Sequence, residues 1–132
     1  MIVADTDVLI DFLAGVASSF ERVRAELERG ALSTTAITRF ELLSGAVTPK
    51  QEARILDLLA GVPALPLDSA AADSAARVRT ALERKGQRIG MADSLIAGIV
   101  LTHGRILMTR NRRHFERVPN LRIETPSRQS EI

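Results

Sequence analysis

The chain has 132 residues, 45% of them hydrophobic, with four Phe and no Cys, Trp or Tyr. That is enough for one domain with an ordinary core, and it excludes disulfides, thiolate metal sites, a cysteine nucleophile and a base-stacking aromatic surface. The formal net charge is only +2, but it is split: residues 1–66 carry nine acids and six bases, residues 67–132 seven acids and twelve bases, so the second half faces a polyanion more readily than the first.

Ile2 to Ala4, an apolar run stopped by Asp5, is expected as a buried strand. A short helix over Val8 to Leu13 ends at Gly15. A charged amphipathic helix runs from Ser19 to Arg29, with Phe20, Val23 and Leu27 on one face and Gly30 as its stop. Ala31 to Thr35 is a Thr-rich strand, and Ile37 to Leu43 is helical up to Gly45. Pro49 to Leu59 is a helix with Pro in its first turn. Val62 to Leu67 is a strand that Pro63 and Pro66 push to a sheet edge. Asp68 caps a long Ala-rich helix reaching about Lys85. A loop over Gln87 to Gly90 leads to an apolar helix from Ala92 to Thr102. Arg105 to Thr109 and Leu121 to Thr125 are the last strands. Residues 1–126 are expected as one domain and 127–132 as a polar tail. Alternating strands and helices predict an α/β domain with a mostly parallel sheet. No apolar run approaches the roughly 18 residues that span a bilayer. The N-terminus lacks the basic region of a signal peptide, so the expected location is cytoplasmic, with no membrane partner.

In such sheets functional groups gather beyond the carboxyl ends of the strands. Asp5 ends the first strand there, unless it only caps the next helix. Glu41 shares a helical face with Ile37, beside Phe40 and Leu43; an acid on a core-facing stripe must be paired, with Arg39 for instance, or bound to a cation. Asp93 opens an otherwise almost uncharged helix, where the helix dipole also favours it. Thr109, Asn111 and His114 follow the fourth strand, with Asn111 placed to cap a turn. Three acids and an Asn are drawn to one rim, where the clustered carboxylates repel one another without a cation, and hard oxygen donors suit Mg²⁺, or Mn²⁺ in its place.

These residues carry a resemblance. Ile2-Val3-Ala4-Asp5-Thr6-Asp7-Val8-Leu9-Ile10-Asp11, Thr38-Arg39-Phe40-Glu41-Leu42-Leu43-Ser44-Gly45, Ile89-Gly90-Met91-Ala92-Asp93-Ser94-Leu95-Ile96-Ala97 and Ile106-Leu107-Met108-Thr109-Arg110-Asn111-Arg112-Arg113-His114-Phe115 are similar, in order, to the four motifs of PIN-domain ribonucleases of the VapC toxin type. The resemblance implies a three-layer α/β/α sandwich and a metal-dependent endoribonuclease leaving 5′-phosphate and 3′-hydroxyl ends. It implies Asp5, Glu41 and Asp93 as Mg²⁺ ligands, with Asn111 completing the catalytic set. The Asn111 and His114 positions often hold acids in that family, so three carboxylates suit one metal and a tightly held second ion is in doubt. Thr6, Thr109, Arg110, Arg112, Arg113 and His114 are expected on the substrate side, the threonines as supporting hydroxyls and the arginines, with Arg117, on RNA phosphates. It further implies a homodimer and a VapB-like antitoxin partner, whose contact is expected at Leu9, Phe12, Leu13 and Phe20. Three other readings compete. Asp5-Thr6-Asp7 is similar to the nucleophile pair of haloacid-dehalogenase-like phosphatases, which need a rim Lys that Lys50 and Lys85 are badly placed to supply. A receiver-like phosphoacceptor domain would use an Asp after its third strand, where Asp68 stands, but needs a Lys near the end and none lies beyond Lys85. A catalytically weak PIN fold that only binds RNA or protein is the third.

Overall fold

The structure, a computed structural model, describes residues 1–126; the predicted polar tail lies outside the described residues. Five strands form the sheet: β1 (Ile2–Ala4), β2 (Leu32–Thr35), β3 (Ala64–Leu65), β4 (Ile106–Met108) and β5 (Arg122–Glu124). Their order is β3-β2-β1-β4-β5, and every pairing is parallel. Parallel neighbours need crossovers, which α1 (Thr6–Leu13), α2 (Ala17–Glu28), α3 (Ala36–Ser44), α4 (Pro49–Ala60), α5 (Ser69–Arg84), α6 (Met91–His103) and the short α7 (Arg112–Phe115) supply. The edge place of β3 agrees with its flanking prolines.

Strand alternation sorts the core into two halves. Ile2, Ala4 and Met108 face one way and pack with Val8, Leu9, Val23, Leu42, Ile55 and Leu58 of α1 to α4. Val3 and Leu107 face the other way, against Val78, Leu82, Ile96, Val100 and Phe115 of α5 to α7. The result is the three-layer α/β/α arrangement. Because the connections leave β1 first toward β2 and later reach β4 on its other side, the C-terminal ends of β1 and β4 flank a topological switch point.

Local chemistry explains where elements begin. Asp68 caps α5 by accepting from the Ala71 amide at 2.9 Å, and Thr35 caps α3 through the Thr38 amide at 3.1 Å. The helix over 17–28 hides an acid: Glu26 is buried and held by Arg22 (3.0 Å) and Arg29 (2.6 Å), while Arg22 also reaches Glu124 of β5 at 2.8 Å. α5 and α6 cross at Gly98, against Ala71 and Ala75.

Two core assignments need correction. Phe40, predicted on the inward stripe of α3, is 69% exposed, and the residues buried on that helix are Thr38 and Leu42. Leu9, expected at an exposed contact surface, is fully buried. Phe12 and Phe20 are partly buried and stack on each other with ring centroids 5.0 Å apart.

Candidate active site

Asp5 stands directly after β1, where its carboxylate does two jobs. One oxygen accepts from the Thr6 amide at 2.8 Å and so caps α1. The other accepts from the Thr109 hydroxyl at 2.7 Å, and that hydroxyl in turn accepts from the Asn111 amide at 2.9 Å. Burial, with the negative charge of Asp7 and more weakly of Asp93, pushes the Asp5 carboxyl up to about 7; the Thr109 and Thr6 bonds only partly restrain it. Burial also raises the Asp7 carboxyl, against the opposing pull of Arg110.

Glu41 reaches the same rim from α3. The Thr6 hydroxyl donates to it at 2.5 Å. A carboxylate only accepts, so this bond orients a chain of hydroxyls: Thr35 to Thr38 (3.3 Å), Thr38 to Thr6 (3.0 Å), and Thr6 to Glu41. Thr38 is fully buried and has no apolar periodicity to betray it, so sequence reasoning placed it only within a motif. The predicted Arg39 alternative is not taken up; Glu41 is held by Thr6.

Asp93 lies in the first turn of α6. Its Oδ2 is 3.1 Å from Nδ1 of His114, which is also 2.9 Å from the Asn111 side-chain amide. Asn111 occupies the N-cap position of α7, but its side chain is turned to His114 and caps nothing. Thr109, expected on the substrate side, is fully buried and serves Asp5. Arg110, expected on RNA, pairs with Asp11 at 2.7 Å; Asp11 was not singled out as a site residue. Arg112 and Arg113 are exposed. Arg112 has only a loose partner in Glu116 at 3.8 Å, and Arg113 makes no ion pair among the described residues.

The rim therefore joins Asp5, Thr6, Glu41 and Thr109 by direct bonds and Asp93 to Asn111 by way of His114. Among the described residues no three His, Cys, Asp or Glu side chains form a ready-made cage for a metal. The donor set nonetheless fits hydrated Mg²⁺, which takes one or two carboxylates and keeps several waters. Asp5 is the sign of that fit: it is buried near two other acids, and its hydrogen bonds come only from uncharged groups.

The profile of the PIN domain family matches residues 2–121. The tRNA(fMet)-specific endonuclease VapC of Shigella flexneri is 34% identical over 124 residues, covering 91% of this chain and 93% of that protein. The chain is a PIN domain of the VapC family. Ribonuclease VapC10 of Mycobacterium tuberculosis is 30% identical over 115 residues, covering 87% of this chain and 86% of its own. Among solved structures, VapBC2 from Rickettsia felis bound to a promoter DNA fragment matches with a TM-score of 0.82 at 25% identity, covering 95% of this chain and 98% of that one. DNA-bound VapBC from Salmonella typhimurium matches at 0.81 and 29%, covering 95% and 97%. This VapC-family chain is thus a nuclease, a hydrolase by class. The phosphatase reading falls with that result: Lys50 sits in α4 and Lys85 at the end of α5, and neither is bonded at the rim. No helix among the described residues is long and apolar enough to cross a membrane.

The Thr109 bond makes a testable claim. Thr109→Val keeps the shape and removes the donor, leaving a buried carboxylate short of a charge-assisted bond worth about 1.5–3 kcal/mol. Nuclease activity is expected to fall roughly 10–100-fold with an unchanged far-UV circular dichroism spectrum; wild-type activity would show that Thr109 does not hold Asp5 in its working position.

Proposed function

We propose that this chain is a Mg²⁺-dependent endoribonuclease that hydrolyses RNA phosphodiesters with a water nucleophile, and that it is the toxin of a VapBC-type toxin–antitoxin pair acting in the cytoplasm. The single observation that carries the reading is Asp5, a buried carboxyl at a rim of acids whose hydrogen bonds come only from the Thr6 amide and the Thr109 hydroxyl, and which is accordingly pushed up to about 7. Such a group regains its charge when a cation is bound.

Asp5, Glu41 and Asp93 are the residues that would hold the ion. When bound, Mg²⁺ supplies an acidified water and a counter-charge for phosphate oxygens. Thr109 and Thr6 keep two of the carboxylates in place. Arg112 and Arg113, exposed just past the rim, bind flanking phosphates, which positions RNA without selecting sequence. No thiol exists, and the Thr6 and Thr109 hydroxyls are spent on Glu41 and Asp5, so the nucleophile is water.

The partner is an antitoxin, supported by solved neighbours that are VapBC assemblies. The surface expected for it moves. Leu9 is core, and the available apolar cavity, about 350 Å³, lies between α1, α3 and α4, lined by Ile10, Leu13, Leu42, Ala46 and Ile55. Glu41 lies on its wall, so an amphipathic segment seated there could present a basic side chain to the rim. The chain itself is assigned as a homodimer on the resemblance to its family.

The relative's name makes tRNA(fMet) the first substrate to try. The expected result is cleavage that needs Mg²⁺, stops in EDTA and falls roughly a thousandfold in Asp93→Asn, several kcal/mol of transition-state stabilisation. Cleavage that persists in EDTA, or an Asp93→Asn variant as fast as wild type on every RNA tried, overturns the metal reading.

A further inference from the structure

We propose that His114 is a positioning residue for Asp93. The inference rests on the cation site proposed above and adds to it the atom that holds one of its carboxylates in place.

One ring nitrogen carries the argument. Nδ1 of His114 stands 3.1 Å from Asp93 Oδ2 and 2.9 Å from the side-chain amide of Asn111. A carboxylate can only accept, so the proton is on Nδ1 and points to Asp93. A protonated Nδ1 has no lone pair left. The atom placed 2.9 Å away is Asn111 Nδ2, a donor that a protonated Nδ1 cannot accept, so the amide is assigned turned over with its oxygen toward the ring. Nε2 has no hydrogen-bond partner among the described residues, on a side chain that is 45% exposed.

One oxygen of Asp93 is thereby committed to His114, and the other is left for a cation. The Asp93–His114 bond also joins α6 to α7 across 21 residues of sequence, which fixes the carboxylate rotamer from outside its own helix. Partners of metal ligands of this kind set affinity by roughly 10–100-fold.

Mn²⁺ is the probe, titrated into the full-length protein and followed by electron paramagnetic resonance and calorimetry. Wild type is expected to bind Mn²⁺ at this site. Asn places its amide nitrogen where Nδ1 was, whereas Gln places it where Nε2 was. His114→Asn is therefore expected to bind Mn²⁺ as wild type does, and His114→Gln and His114→Ala to bind it roughly 10–100-fold more weakly, with unchanged far-UV circular dichroism. Rescue by Gln instead of Asn, or wild-type affinity in His114→Ala, overturns the inference while the cation site stands. If wild type binds no Mn²⁺ at millimolar concentration, or Asp5→Asn binds it as well as wild type does, the cation site itself is wrong and the inference goes with it.

Discussion

Asp5→Asn is expected to abolish cleavage and, without divalent cations, to leave the protein more stable at pH 8 than the wild type. Asn keeps the size of Asp5, still caps α1 and carries no charge. In the wild type the carboxyl titrates near 7 in the folded state against an ordinary 3.8. Between those values the native state holds a proton that the unfolded chain has lost. Stability from this group is therefore full below about pH 4 and drains away as pH rises through 7. Each pKa unit corresponds to about 1.36 kcal/mol, so the cost at pH 8 is on the order of 4 kcal/mol. Urea unfolding in EDTA at pH 5 and pH 8 reads it directly. The wild type loses several kcal/mol between the two; Asp5→Asn loses only the smaller share from Asp7, which burial also raises. Mg²⁺ at pH 8 restores the wild type and leaves the variant unmoved. Parallel pH dependences for the two proteins would show that Asp5 is not strained by its surroundings. The site is thus built at the expense of stability, in the way of a centre whose charges await a counter-ion.

Gly98→Ala, a single added methyl, is expected to destabilise the protein by about 1–3 kcal/mol, and Gly98→Val to prevent folding to a soluble protein. A Cβ at Gly98 would meet the Ala71 carbonyl oxygen at 2.6 Å and the Ala75 nitrogen and Cβ at 2.7 Å. The obstacle is helix backbone, which no rotamer change can move. The two helices must separate, and the facing Val78, Leu82, Ile96 and Val100 lose contact with them. A lower urea midpoint at unchanged slope checks the first claim; wild-type stability for Gly98→Ala would refute it. Because Asp93 rides on the first turn of α6, activity should fall further than the surviving folded fraction accounts for.

Much of this architecture could be read in advance. The apolar runs ending in Asp5 and Thr109 marked the two central strands, and Pro63 and Pro66 marked an edge. Asp68 announced α5. The difficulties share a cause. Periodicity shows one stripe per helix, yet α1 packs against both α2 and α3, so Leu9, expected at a surface, is enclosed in the core with Ala4 and Val23. On α3 the inward residue is Thr38, whose hydroxyl is satisfied by other hydroxyls, a form of burial that hydropathy does not register; Phe40 drew attention for the opposite reason. The four residues of α7, Arg-Arg-His-Phe, are too few and too charged to show a period. At the site, the acids were evident from their placement beside apolar runs. Their partners were not, since the bonds from Thr109 to Asp5 and from His114 to Asp93 need the chain folded, and Arg110, apparently free for phosphate, is claimed by Asp11.

The parallel pairing of β1 with β4 also sets a timetable. Asp5 is made almost first, but Thr109 lies 104 residues later, and Ala4 pairs with Met108. Contacts of such long range form late in folding, and domains fold as their residues emerge during synthesis. A growing chain that has not yet produced β4 has neither the hydroxyl that holds Asp5 nor the imidazole that holds Asp93. For a protein that destroys RNA, this delay keeps the cutting centre unassembled while the ribosome is still translating most of its message.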